Sequence, residues 1–127
     1  MSQMVPVVLV VEEDPNLAKI YEERFKKEKF VVVLSSDGED AIVKVVQEKP
    51  DLILLNLMLP KKGGFGVMQI LKSMPTTKDI PVIMLSAFLQ KEYIEKANYY
   101  GAERFLLKTE YTPADIVTQA KEIIGWN

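Results

Sequence analysis

The chain has 127 residues and a formal net charge of −2, and it contains neither cysteine nor histidine. This length corresponds to one domain, and the missing residue types exclude disulfides, thiolate nucleophiles and histidine bases. No basic stripe favours nucleic acid, and no apolar run is long enough to span a bilayer. We therefore expect a single domain over 1–127 without an effector domain, located in the cytoplasm, with no nucleic-acid or membrane partner.

Short apolar runs recur along the chain at the spacing of βα units. They are rich in β-branched residues and do not alternate with polar residues, which is typical of parallel strands buried on both faces. The runs are Val7–Val11, Phe30–Leu34, Leu52–Leu55, Val82–Leu85 and Arg104–Leu107.

The segments between these runs have helical periodicity and helix-start signals. Starts are predicted at Asp14-Pro15, Ser36-Asp37-Gly38, Gly63-Gly64 and Thr112-Pro113, with ends near Gly101 and at Gly125. Alternating strands and helices predict an α/β fold with a doubly wound parallel sheet, which binds ligands beyond the carboxyl ends of its strands.

Polar side chains follow these predicted strands. Glu12-Glu13-Asp14 follow the first, Asn56 the third, Ser86 the fourth and Lys108 the fifth. Acids at such an edge indicate a hard cation, and a lysine with a hydroxyl indicates a bound oxyanion. Solvated acids that only cap the next helix are the alternative for the first group, and we expect this role for Asp14.

With these residues in order, the chain resembles the receiver domain of two-component response regulators, including the chemotaxis type. The resemblance covers nearly the whole chain and implies a flavodoxin-like (βα)5 fold with strand order 2-1-3-4-5. It rests on the segments Val8–Asn16, Ser36–Ala41, Lys49–Pro60, Gly64-Phe65, Ile80–Ala87 and Gly101–Lys108.

The resemblance also implies roles for individual residues. The acidic metal-binding pair falls on Glu12 and Glu13, where aspartates are usual, and the phosphoacceptor aspartate falls on Asn56. The remaining positions are the metal-coordinating carbonyl of Met58, the phosphoryl-sensing Ser86, the switch aromatic Phe105 and the lysine Lys108.

Three of these positions depart from the family pattern. An amide at Asn56 is a weak nucleophile and a poor Mg²⁺ ligand, and Glu13 extends its carboxylate into the space a cation would use. Thr109 replaces a proline that is often cis, so the peptide after Lys108 should be trans. We expect no bound metal or cofactor, apart from weak Mg²⁺ binding at most.

In place of a metal, we expect a polar network of Glu12, Glu13, Asn56 and Lys108. Glu13 is the expected partner of Lys108 because its side chain reaches further than an aspartate would across the rim, the edge of the sheet formed by the carboxyl ends of the strands. Ser86 should then turn away from the phosphoryl pocket.

The functional hypothesis is a stand-alone pseudo-receiver of a two-component phosphorelay, which is not an enzyme and acts through protein–protein contacts as a monomer or weak dimer. Its partner would be a histidine kinase or a downstream signalling protein. An ordinary response regulator with an engineered Asp→Asn change at 56, or a flavodoxin-like small-molecule-binding domain, remains open. Contacts could involve Phe88, Leu89, Lys91, Tyr99 and Tyr100, most of which we expect to be half-buried.

Overall fold

The computed structural model describes residues 4–127. Its strands are β1 (Val7–Val11), β2 (Val31–Ser35), β3 (Leu52–Asn56), β4 (Val82–Ser86) and β5 (Arg104–Leu107). Its helices are α1 (Pro15–Lys27), α2 (Gly38–Glu48), α3 (Gly64–Ser73), α4 (Lys91–Tyr99) and α5 (Pro113–Ile124). The strands form one parallel sheet in the order β2-β1-β3-β4-β5, which confirms the predicted flavodoxin-like fold.

Two apolar layers cover the sheet because successive strand side chains point to opposite faces. Val8 and Val10 of β1 pack with Tyr21 and Phe25 of α1 and with the buried residues of α5. Leu9 and Val11 pack instead with buried residues of α2, α3 and α4. β3 and β4 are buried along their whole length, as their uninterrupted apolar sequences predict.

The expectation that all strands are buried on both faces is wrong for both edge strands: three of the four residues of β5 are half-buried, and β2 is more exposed still. Its first residue, Val31, is exposed and the next three are half-buried, because β2 is an edge strand with a neighbour on one side only. The strand also begins one residue later than predicted. Phe30 lies before it and packs edge-on against Phe25, with 5.0 Å between the ring centroids.

The helix-start signals act as predicted. The carboxylates of Asp14 and Asp37 accept backbone N–H groups at the starts of α1 and α2, at 2.9 and 2.7 Å. Thr112 and Asp115 form a reciprocal capping box at the start of α5. Gly125 ends α5 in the left-handed conformation, with φ of 70°.

The loop between β3 and α3 lies directly against the start of α2. Gly38 N donates to the carbonyl of Pro60 at 3.3 Å. A Cβ on Gly38 would lie 2.0 Å from the carbonyl oxygen of Lys62, so only glycine permits this approach. The loop that follows Asn56 is therefore held by tertiary contact.

Candidate functional site

The strand ends bring the predicted polar residues together at one edge of the sheet. Backbone hydrogen bonds extend the ladders past the strand ends: Glu12 N donates to Ser35 O at 2.9 Å, and Lys108 N donates to Ser86 O at 2.8 Å. Asn56 and Ser86 are the last residues of β3 and β4. The positions of these side chains thus follow from the sheet itself rather than from flexible loops.

Glu12 is the centre of the site. The residue is only 4% exposed, yet its carboxylate has partners for both oxygens. Oε1 accepts from Lys108 Nζ at 2.7 Å, while Oε2 accepts from Asp14 N at 3.1 Å and from Asn56 Nδ2 at 3.4 Å. A buried carboxylate held this way has its charge compensated by an ammonium and its remaining lone pairs satisfied.

Asn56 acts in this site as a hydrogen-bond donor. Its Nδ2 donates to the carbonyl of Met58 at 3.0 Å as well as to Glu12. A carboxylate in the same position would have no proton for either contact and would place a second negative charge beside Glu12. The amide is therefore suited chemically to the two acceptors around it.

The predicted network forms only in part: Glu12 links Lys108 and Asn56, and Glu13 lies outside it. Lys108 pairs with Glu12, and Glu13 is exposed, so the expected pairing of the lysine with Glu13 is wrong. Glu12 continues the hydrogen-bond ladder of β1 and is buried, whereas Glu13 lies where the chain turns outward toward α1. The extra length of a side chain does not bring it into the site when the backbone carries it away.

Ser86 is turned toward the loop that follows β4. Its hydroxyl donates to Phe88 O at 2.7 Å and accepts from Phe88 N at 3.0 Å. This local turn uses the hydroxyl within its own segment. The adjacent side chains of Phe88 and Leu89 are 58% and 60% exposed.

The remaining predicted positions lie beside this network. Phe105 is half-buried against the apolar layer formed with α2, α3 and α4. No cis peptide occurs among residues 4–127, so the bond between Lys108 and Thr109 is trans as predicted.

The expectation that most of the possible contact residues near α4 are half-buried is wrong, because Phe88, Leu89, Lys91 and Tyr99 are all exposed. Of these five residues only Tyr100 is half-buried, and it packs against Phe65 with 6.2 Å between centroids.

Tyr21 belongs to the electrostatic surroundings of the site, and sequence reasoning placed it only on an apolar face. Burial, with a smaller contribution from the negative charge of Glu12, raises the pKa of the Tyr21 phenol to about 12. Tyr21 is only 2% exposed and packs in the apolar layer that α1 and α5 form against the sheet. The helical spacing that marked it as apolar gave no indication of its proximity to Glu12.

The donor set does not fit a hard divalent cation. Both oxygens of Glu12 and the carbonyl of Met58 are occupied by hydrogen-bond donors. Within residues 4–127, no three acidic, histidine or cysteine side chains are grouped to hold a metal ion. Mg²⁺ requires several free oxygen ligands in near-octahedral geometry.

Residues 8–121 match the family described as response regulator receiver domain, and the chain belongs to this family. It is similar to the DNA-binding response regulator MtrA of Mycolicibacterium smegmatis, with 30% identity over 95% of this chain and 51% of MtrA. It is also 36% identical to the DNA-binding dual master transcriptional regulator RpaA of Synechocystis, over 81% of this chain and 43% of RpaA.

The fold comparison agrees with the family. A CheY-like response regulator receiver domain protein from Methanospirillum hungatei superposes with a TM-score of 0.89, over 96% of this chain and 95% of that chain. At 18% sequence identity, this similarity concerns the fold alone.

The chain spans about half the length of the curated relatives it matches. Because two of these relatives are named as DNA-binding, the comparisons do not support the expectation that nucleic acid plays no part. No helix within the described residues is long and apolar enough to cross a membrane.

Proposed function

We propose that this receiver domain signals without phosphorylation, through a protein partner such as a histidine kinase or a downstream signalling protein. The observation that supports this proposal is the hydrogen bonding of Asn56, whose amide donates to Glu12 and to Met58 O. A carboxamide cannot form the acyl phosphate through which a receiver is switched. The Lys108 ammonium, which would otherwise stabilise a phosphoryl oxygen, is paired with Glu12.

The same hydrogen-bond network should oppose Mg²⁺ binding at this site. A cation would have to displace Lys108 and Asn56 from Glu12, and Glu13 is exposed rather than directed at the others. Each displaced charged hydrogen bond costs about 1.5–3 kcal/mol, which Mg²⁺ would have to recover from a site with few free oxygens. We expect no saturable binding at millimolar Mg²⁺ in a calorimetric titration.

Intact-mass measurement after incubation with acetyl phosphate and Mg²⁺ tests the proposal. The wild-type chain should gain no phosphoryl group, because it lacks the acceptor carboxylate. Asn56→Asp is the matched variant: it restores that carboxylate and leaves Glu12, Glu13 and Lys108 unchanged. A phosphorylated wild-type protein would refute the proposal.

The result for Asn56→Asp also distinguishes the two origins of the amide. If the variant takes up one phosphoryl group as readily as an ordinary receiver, Asn56 alone blocks the switch, as expected of a single Asp→Asn change. If it does not, Glu12, Glu13 and Thr109 contribute to the loss, as expected of a naturally degenerate site. No contact in the described residues favours a flavodoxin-like small-molecule site.

We propose that the exposed apolar residues near α4 contribute to partner binding. Phe88 and Leu89 lie in the loop held by Ser86, and Tyr99 lies at the end of α4. Binding of a candidate kinase should weaken in Leu89→Glu, and acetyl phosphate should not alter wild-type affinity. Tight binding by Leu89→Glu would exclude this surface.

A further inference from the structure

A groove lies between α5 and the last turns of α1. Its volume is about 670 Å³, within the range of about 300–1,000 Å³ that is typical of small-molecule sites. The buried side chain of Val117 lies at its base, and Trp126 lines it just beyond the end of α5. Helices that connect parallel strands run opposite to those strands, so the last turns of α1 and α5 lie far from the rim. The groove is therefore separate from the Glu12 site and from the place where a flavodoxin-like domain binds its ligand.

The acidic side chains that line this groove already have basic partners. Glu28 Oε1 accepts from Lys121 Nζ at 2.6 Å. Glu122 Oε1 lies 3.8 Å from a guanidinium nitrogen of Arg104. Neither carboxylate is therefore free to neutralise a further cation in the groove.

Two cations of the groove have no such partner. Arg24 and Lys27 lie three residues apart on α1 and so share one face of the helix. Among residues 4–127, neither forms an ion pair with a carboxylate. The pKa of the Glu28 carboxyl is held below its usual range, first by the hydrogen bond and charge of Lys121 and then by the charges of Arg24 and Lys27. The groove is thus a positively charged region in a chain whose net charge is −2.

Trp126 supplies a fixed aromatic surface beside these charges. Its Nε1 donates to Glu28 O at 3.0 Å, and its backbone N donates to Lys121 O at 3.1 Å. The side chain is half-buried, packing on the apolar layer of α1 and α5 while it also lines the groove. An indole held in this way offers a preorganised surface on which a planar ring can stack.

We propose that this groove binds a nucleoside monophosphate, with its phosphate between Arg24 and Lys27 and its base against Trp126. The planar guanidinium and the adjacent ammonium suit phosphate oxygens. The Thr118 hydroxyl, which donates to Ala114 O at 3.1 Å, keeps lone pairs that can accept from a ribose hydroxyl. A mononucleotide uses the charges and the indole together, whereas inorganic phosphate uses only the charges and a free nucleoside only the indole.

Trp126 is the only tryptophan of the chain, so its fluorescence reports directly on the groove. Titration of the full chain with AMP should quench this fluorescence saturably, with a dissociation constant below about 1 mM. Adenosine, which lacks the phosphate, should bind at least about tenfold more weakly, and inorganic phosphate should leave the emission unchanged. An absence of saturable quenching, or an affinity for AMP no greater than for adenosine or inorganic phosphate, would overturn the proposal.

The basic residues in the last turns of α1 provide a matched comparison, because all of them stabilise the negative end of the helix. Arg24→Ala and Lys27→Ala should each weaken AMP binding about tenfold, since each removes a cation from the phosphate. Lys26→Ala is the control, because Lys26 is paired with Glu22 and does not line the groove. An equal loss of affinity in Lys26→Ala and Arg24→Ala would indicate unspecific attraction of anions and overturn the proposal.

Two further measurements test the role of the indole and the kind of ligand. Trp126→Leu, followed by calorimetry, should weaken AMP binding about tenfold through lost stacking, and unchanged affinity would overturn the proposal. The α1 variants keep the proposal testable if Trp126→Leu does not fold. A single-stranded oligonucleotide is the second probe, because two relatives are named as DNA-binding. Saturation by the oligonucleotide without saturation by AMP would assign the groove to nucleic acid and overturn the proposal.

Discussion

Lys108 Nζ lies 2.7 Å from Glu12 Oε1, and this ion pair joins the ends of β5 and β1 across the rim of the sheet. Its side chains are 20% and 3% exposed, so the pair is only partly accessible to water. The ammonium neutralises a carboxylate that would otherwise be buried alone. The pair thus occupies the two groups that metal and phosphoryl chemistry would require.

Removing the lysine should destabilise the fold. Lys108→Ala leaves Glu12 buried without its cation, and we expect the free energy of unfolding to fall by about 1–3 kcal/mol. Urea denaturation at pH 7 measures the change. Lys91→Ala is the control, because the Lys91 side chain is 87% exposed and its removal should change stability by less than about 0.5 kcal/mol. Equal stability of the two variants would exclude a structural role for the pair.

Restoring an acid at position 56 should make stability depend on Mg²⁺. Asn56→Asp places a carboxylate beside Glu12 Oε2 and the carbonyl of Met58, where the amide now donates. Without Mg²⁺ we expect a loss of about 1–3 kcal/mol from repulsion and from the lost hydrogen bonds. Thermal melts with and without 10 mM Mg²⁺ (about the concentration usual for such sites) should differ for the variant only. A wild-type melting temperature that rises equally with Mg²⁺ would contradict the expected metal independence.

The close approach of the β3–α3 loop to α2 makes one glycine sensitive to substitution. Gly38→Ala places a Cβ 2.0 Å from Lys62 O, so the loop must shift, at a cost of about 1–3 kcal/mol. Gly63→Ala, within the β3–α3 loop itself, is the control, since its Cβ meets nothing nearer than 3.7 Å. Chemical denaturation should give a clearly lower free energy of unfolding for Gly38→Ala than for Gly63→Ala. The reverse order would show that this contact does not hold the loop.

Tyr21 should make the fold sensitive to alkali. Its pKa is raised from 10.0 to about 12, mainly by burial, so the unfolded chain loses the phenolic proton first. The stability that depends on the neutral phenol is complete below pH 10 and is lost as pH rises toward 12, by about 2–3 kcal/mol. Tyr21→Phe should be less sensitive over this interval in denaturation curves at pH 9, 10 and 11 (about the range in question). Parallel pH profiles for the two proteins would rule out this contribution.

Local sequence signals predicted the helices, the strands and their alternation, whereas the strand order was implied by the family resemblance. Asp14-Pro15, Asp37 and Thr112-Pro113 mark helix starts because their side chains satisfy backbone donors a few residues away. Uninterrupted apolar runs mark β3 and β4 because both strands are covered by helices on two faces. Since parallel strands end at the same edge, the positions of the polar residues also predicted that Glu12, Asn56 and Lys108 lie close together.

Tertiary structure alone decided how those residues pair. Glu12 and Glu13 are adjacent and chemically alike, yet one is buried on Lys108 and the other is exposed, because the chain turns outward between them. Sequence spacing carries no information about that turn. The bond itself joins residues 96 positions apart, beyond the range of any local propensity.

The exposure of β2 is likewise decided by tertiary structure and not by its sequence. Its apolar sequence resembles that of a central strand, and only the strand order places it at an edge. By itself, the sequence determined the elements, their succession and the residues of the rim, since these depend on periodicity and on contacts within a few residues. The partner of Glu12, the donor role of Asn56 and the open edge of β2 depend on which distant backbones become neighbours, and only the folded chain decides that.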